Sequence, residues 1–226
     1  MATNTTRSTN ATKITRYARV AFDVDSTLSG IEGIDELAKL RRVDVSQLTD
    51  QAMRGEILLE DVYARRLELV RPTIQMIALV GALYTEHRTP GAATLINDLY
   101  HNGVEVLLVS GALRQAILPL ARSLRIPGSC VYAVDIYFDT RGRYAGFDET
   151  NPLARADGKR VLLEQLHHPR KPTVLVGDGS TDLAAAPAVD AFVAFTGVAN
   201  RPQVVAASRH AARNFKELRT VLGLAR

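Results

Sequence analysis

Arg19-Val20-Ala21-Phe22-Asp23-Val24-Asp25-Ser26-Thr27 is an apolar run that stops at two carboxylates one residue apart. Short β-branched or aromatic runs bounded by turn residues read as buried strands. Residues 19–24 have that form. So do 104–109, which lead into Ser110-Gly111, and 173–176, which lead into Gly177-Asp178-Gly179-Ser180-Thr181-Asp182. Residues 191–195 make a fourth run. Helical periodicity fills the intervals at 92–100, 114–124, 159–166 and 203–212. Strand alternating with helix predicts an α/β fold, a parallel sheet covered on both faces. Such sheets bind ligands beyond the carboxyl ends of their strands, which is where Asp23, Ser110 and Asp178 fall.

The alternation breaks after the first strand. Residues 36–40, 58–70 and 73–83 read as successive helices with little strand character. They predict an α-helical cap over 29–90, with Gly30 and Gly33 as an entry hinge and Pro90-Gly91 as an exit hinge. The core then comprises 17–28 and 91–226. Within it, 135–138 and 143–147 flank Asp139-Thr140-Arg141-Gly142 and predict a small β-hairpin insertion.

The net charge of +4 invites a polyanion partner, but Arg7, Lys13, Arg16 and Arg19 account for all of it. The excess belongs to the N-terminus, so no nucleic-acid partner is expected. Residues 1–16, rich in Ser, Thr and Asn, predict a disordered tail without the apolar core of a secretory signal. No apolar stretch is long enough to span a bilayer, so no membrane partner is expected. Cys130 is the only cysteine, which fits a reducing, cytoplasmic setting and a buried structural thiol. Oligomeric state has no signature here.

The three strand ends together suit phosphoryl chemistry. Phosphate monoesters are among the slowest bonds in biology to hydrolyse, and covalent catalysis splits the task in two. Asp23 is the candidate nucleophile. Because nucleophile and phosphate are both anionic, a cation is required between them. Mg²⁺ suits an oxygen set of Asp23, Asp178 and the Asp25 backbone carbonyl. Asp25 is the candidate acid for the leaving group and then the base for water, given a carboxyl raised by burial and a neighbouring carboxylate. Ser110 and the Gly111 amide suit the phosphoryl oxygens, and Lys159 the developing charge. Asp182 is the supporting group, orienting Lys159 or the metal-bound water. Singly, each motif is an ordinary turn or a solvated helix residue. Their order and common strand-end position join them.

With these motifs, the chain resembles the haloacid-dehalogenase-like phosphohydrolases, and within them the phosphoserine phosphatases. Asp23–Thr27, Ser110, Lys159 and Asp178–Asp182 match the four family motifs. Glu32-Gly33-Ile34-Asp35-Glu36-Leu37-Ala38-Lys39, Thr89-Pro90-Gly91, residues 144–150 and Asp190-Ala191-Phe192 extend the match. The resemblance implies a Rossmann-like core, an α-helical cap, an aspartyl-phosphate intermediate and Mg²⁺. It implies hydrolysis of O-phosphoserine, a small phosphorylated amino acid, as the final step of serine biosynthesis. It assigns Glu32 to the substrate ammonium, Arg66 to its carboxylate and Met53 to the pocket wall, with Thr181 among the substrate contacts. A Glu and a bidentate Arg suit those two groups. The sequence departs at Arg54, where a Gly is common, at Leu59, where a Phe is common, and at Thr196, in a segment that is ordinarily Gly-rich.

Three other readings use similar parts. A phosphoserine:homoserine phosphotransferase shares the aspartyl-phosphate step. A dehalogenase needs no acid at Asp25. A phospho-accepting signalling domain is much shorter and lacks the helical insertion.

Overall fold

The first strand, β1 (Arg19–Phe22), buries all four of its residues. A strand with no exposed side must lie inside a sheet, with cover on both faces. The computed structural model of the protein describes residues 17–53, 57, 59–168 and 171–224, and bears this out. After β1 come α1 (Gly33–Arg41), α2 (Ser46–Met53), α3 (Leu59–Val70), α4 (Ile74–Glu86) and α5 (Ala92–His101). Next are β2 (Glu105–Leu113), α6 (Arg114–Ser123), β3 (Val131–Val134), β4 (Ile136–Phe138), β5 (Tyr144–Phe147) and α7 (Gly158–Leu166). The chain continues with β6 (Thr173–Gly177), α8 (Ser180–Ala185), β7 (Ala191–Phe195), α9 (Pro202–Ala207), β8 (His210–Ala212) and α10 (Phe215–Val221). Six strands form one parallel sheet in the order β3-β2-β1-β6-β7-β8.

β1 sits between β2 and β6, in register Phe22↔Leu108 and Phe22↔Val176. Asp23 and Asp178 therefore follow the ends of β1 and β6, while Ser110 lies inside the longer β2, two residues past Leu108, so three neighbouring strands carry the groups at the same end. Adjacent strands lie about 4.8 Å apart, so the sheet itself brings the three groups close. The scaffold is firmly packed. Phe22, Leu107, Leu108, Leu99 and Phe195 are fully buried or nearly so, each contributing about 1.5–3 kcal/mol. Phe215 on α10 meets Phe195 with ring centroids 4.9 Å apart.

The structure alters several expectations. The helix expected over 203–212 ends at Ala207, and 210–212 form the edge strand β8. Its alanines favour helix locally, but pairing of Val193 with His210 and Phe195 with Ala212 wins, and Ala212 is fully buried. The Ser208 hydroxyl, donating to the Val204 carbonyl at 2.5 Å, marks the break. β2 runs on to Leu113, past the expected end at 109, and α2 and β3 lie where neither element was expected. Asp44 starts α2 by accepting the Ser46 amide at 2.8 Å. The hairpin β4–β5 is antiparallel as expected, with Gly142 at φ 72° in its turn. Cys130 is half-buried rather than buried. Residues 1–16, with the expected tail, and Arg54 lie outside the described residues, as do the side chains of Met53 and Leu59. No single described helix is long and apolar enough to cross a membrane.

Helices α1–α4 leave and rejoin the sheet through a narrow neck. The Gly30 amide donates to the His87 carbonyl and the Thr89 amide to the Leu28 carbonyl, each at 2.9 Å. Ser29 and Arg88 pair across it. The Thr89 hydroxyl adds a bond to the Thr27 carbonyl at 2.8 Å. Gly33 has a packing role here: a Cβ on it would lie 2.0 Å from the Tyr84 hydroxyl.

Candidate active site

Beyond β1 the chain turns sharply. Asp23 accepts the Val24 amide at 2.7 Å, Asp25 is extended, and Ser26 takes φ 51°, a left-handed conformation uncommon outside glycine. The Ser26 hydroxyl locks the turn by donating to Glu32 Oε1 at 2.7 Å. This geometry holds two carboxylates side by side yet facing different partners.

Asp23 faces Lys159, whose Nζ lies 2.7 Å from Asp23 Oδ2 and 2.7 Å from Asp182 Oδ1. Lys159 is 5% exposed and Asp182 fully buried. Burial works against the ammonium, but the Asp182 and Asp23 carboxylates more than reverse that, so Lys159 stays charged. Asp182 Oδ2 accepts the Gly179 amide at 3.0 Å. A Cβ at Gly177 would strike the Asp182 carboxylate, 2.2 Å from Cγ, so only glycine lets α8 approach β6 this closely.

Asp25 turns the other way. It accepts the Tyr84 hydroxyl at 2.5 Å and the Gly33 amide at 3.2 Å. Burial raises its carboxyl well above the ordinary range, with Glu32 and Asp23 adding to the effect. Burial also raises Glu32 and Asp178, against hydrogen bonds from Ser26 and Arg201 respectively.

The expected metal-binding carboxylates converge in part. Oxygens of Asp23, Asp178 and Asp182 lie within 4.8 Å of one another, and all three residues are buried. Asp182 is fully buried behind Lys159 and the Gly179 amide, whereas Asp23 and Asp178 line the adjoining cavity and are the carboxylates accessible to an ion. An all-oxygen set with two carboxylates fits Mg²⁺, which keeps several water or phosphate ligands. Asp178 currently accepts Thr27 Oγ1 at 3.2 Å and Arg201 Nε at 2.9 Å.

Two cavities meet at the carboxylates. One, of about 340 Å³, brings Asp23, Glu32, Arg66, Ser110, Gly111 and Lys159 onto a common wall, with Thr181 beside them. The Ser110 hydroxyl accepts the Ala112 amide at 3.2 Å. Arg66 is ion-paired with Asp35, and its Nε–H is buried with no partner among the described residues. The other cavity, about 690 Å³, opens between the carboxylates and residues 200–204, which lead into and begin α9. Three participants were not foreseen in the sequence. Tyr84 reaches Asp25 from α4. Arg201 bridges Asp178 and Glu32, the latter at 3.5 Å. Tyr63 on α3 donates to the Gly111 carbonyl at 2.9 Å, linking the helical segment to β2. None carries a local motif; only an Arg or Tyr in a loop or an apolar helix hinted at them.

Comparison with known proteins places this geometry. The model of the haloacid dehalogenase-like hydrolases matches residues 20–187, which include all four motif positions. A phosphoserine phosphatase of Bos taurus is 42% identical over 191 residues, 82% of this chain and 84% of the relative. That of Homo sapiens is 39% identical over 205 residues, 88% of this chain and 90% of the relative. The solved structure of a phosphoserine phosphohydrolase-like protein from Francisella tularensis superimposes with a TM-score of 0.78 at 27% identity, covering 90% of this chain and 99% of that one. The family model thus spans most of the chain, from β1 through α8: the chain belongs to the haloacid dehalogenase-like hydrolase family.

Proposed function

We propose that the protein is a Mg²⁺-dependent phosphoserine phosphatase, converting O-phosphoserine to serine and phosphate through an aspartyl phosphate on Asp23. The carrying observation is the 340 Å³ cavity, where Arg66, with a buried N–H to spare, and Glu32 share a wall with Asp23, Ser110 and Lys159. A carboxylate, an ammonium and a phosphate each then meet a group of opposite charge or a donor. The activity named for the relatives supports the same reading. Residues 29–90 act in it as a cap over the strand ends, and the reaction closes a route to serine.

Asp23 attacks phosphorus, and the Lys159 ammonium beside it offsets charge on the transferring group. Ser110 and the Gly111 amide hold phosphoryl oxygens. Asp25, its carboxyl raised, is protonated when the serine alkoxide leaves and gives up that proton. It then takes a proton from the water that cleaves the aspartyl phosphate. Mg²⁺, held by Asp23, Asp178 and the Asp25 carbonyl, supplies charge neutralisation between nucleophile and phosphate when bound. Asp182 keeps Lys159 in place. Arg66 leaves Asp35 for the substrate carboxylate, Glu32 takes the ammonium, and Thr181 and Met53 complete the pocket.

Steady-state kinetics across phosphoserine, phosphothreonine, phosphoethanolamine and phosphoglycolate test this. Phosphoserine should have the highest kcat/KM, and loss of either the carboxylate or the amine should cost about 10–150-fold. EDTA should abolish turnover and Mg²⁺ restore it. Equal rates on phosphoethanolamine and phosphoserine would overturn the assignment. Phosphate release that falls as homoserine is added would instead indicate transfer to an alcohol.

A further inference from the structure

A second cluster of arginines lies away from the carboxylates, where the far ends of two inserted helices meet the β4–β5 hairpin. Arg41 ends α1, Arg71 follows α3, and Asp139, Arg143 and Tyr144 belong to the hairpin. Together they line a cavity of about 380 Å³. Three cations line it with the Asp139 carboxylate, and a second carboxylate, Glu68, pairs with Arg71.

The cluster is built rather than incidental. Arg41 is pinned by two backbone carbonyls, Val70 through Nε at 2.9 Å and Arg71 through Nη2 at 2.7 Å. It has no carboxylate partner among the described residues. Arg71 itself sits at φ 42°, in the left-handed region, and its carbonyl is one of the two that fix Arg41. Strain of this kind recurs at ligand clamps. The Arg71 guanidinium lies 5.5 Å from the centre of the Tyr144 ring and spends one nitrogen on Glu68, at 2.7 Å. Arg143 is paired with Asp139 at 2.8 Å, and Asp139 is further occupied by the amides of Arg141 and Arg143. Tyr144 is buried, and its hydroxyl accompanies the guanidinium groups at the cavity. Burial pushes that hydroxyl up to about 12, so it remains a donor. The Ile74 amide, donating to the Gly142 carbonyl at 3.0 Å, ties the hairpin to α4 and keeps the two walls together.

We propose that this cavity is a binding site for a small oxyanion carrying two or more negative charges, held by Arg41, Arg71, Arg143 and the Tyr144 hydroxyl. The guanidinium fork matches carboxylate and phosphate oxygens alike, and Arg41, already fixed by two carbonyls, loses little freedom on binding. The volume of about 380 Å³ suits a ligand the size of pyrophosphate or citrate.

Amide NMR of the full-length protein without added metal, titrated at low ionic strength with inorganic pyrophosphate and separately with citrate, decides the matter. Saturable shifts are expected at the amides of 41, 71 and 141–144, and should weaken as salt is raised. Arg143→Gln should lower affinity about tenfold or more, as for removal of a charged hydrogen-bond donor. Tyr144→Phe, a milder change, should lower it less, without altering the shifts that pyrophosphate produces around Ser110 and Gly179. Response to citrate alone identifies a polycarboxylate, and response to pyrophosphate alone a phosphorylated ligand. Shifts confined to Ser110 and Gly179, or unchanged affinity in both variants, would overturn the proposal. Neither outcome bears on the phosphatase reading, which the substrate series tests independently.

Discussion

At the strand ends Lys159 is shut between two carboxylates at 2.7 Å each, whereas on α3 Arg66 holds one half-exposed Asp35 and leaves a buried N–H unpaired. One region is satisfied before any ligand arrives; the other is arranged to change partners. In the proposed phosphoserine reaction the difference follows from what each would do. Attack on phosphorus proceeds alike whatever the leaving group, so its charges are best preset and kept from water. Recognition requires a protein ion pair to give way to one with the substrate, so its charges must stay within reach of solvent and be weakly held.

The largest expected effect lies in the first region. Asp23→Asn should lower kcat by roughly 10³-fold or more, in the manner of other nucleophile deletions. Near-normal turnover would remove the strand-end site from the chemistry. Lys159→Met should cost about 3–5 kcal/mol in urea unfolding, because two buried carboxylates lose their counter-ion. A loss below about 1 kcal/mol would mean that the two regions hold charge equally loosely. In the second region, Arg66→Ala should lower kcat/KM for phosphoserine about 10–150-fold while changing hydrolysis of an aryl phosphate much less. Equal losses on both would make Arg66 a structural residue.

The smallest effect is a pH dependence. Asp25 is raised in the folded protein by burial and then by Glu32 and Asp23, against about 3.9 unfolded. A carboxyl raised on folding contributes stability that is full below its unfolded pKa and is lost as pH climbs through the folded one. The Tm of the metal-free protein should therefore fall as pH rises from about 4, and Asp25→Asn should flatten that fall. Surface Glu217, lowered by hydrogen bonds from Arg213, acts in the opposite sense, losing its contribution as pH drops. If Asp25→Asn steepened the fall, the site would not be storing the electrostatic strain assigned to it.

The parallel sheet was legible because each central strand is an unbroken apolar run, and burial on both faces writes itself into composition. Asp23, Ser110 and Asp178 could be singled out because strand ends are where such sheets bind ligands, whereas Lys159, on α7, joined them only through its place in the order of motifs. Residues 203–212 misled because alanine favours helix while the β7 edge, which no local pattern reveals, demanded a strand. Tyr84 was invisible for a related reason. It reaches Asp25 across 59 residues of chain, and an aromatic in an apolar helix reads only as core. Arg201 looked like a solvated loop charge, since nothing near it in sequence announces Asp178. Long-range partners of a buried carboxyl are properties of the folded surface, not of spacing.

The neck at Leu28–Thr89 makes the inserted helices a cassette with coincident ends. Both ends of that segment leave the sheet at one point, and lengthening the chain between them adds little to the entropy of closing the loop. Mutation can therefore enlarge, trim or replace the segment without touching strand order or the spacing of the carboxylates. Changes of length in the segment are then absorbed on the far side of the neck, provided Gly33, Glu32 and Tyr84 keep their contacts with Asp25 and Ser26.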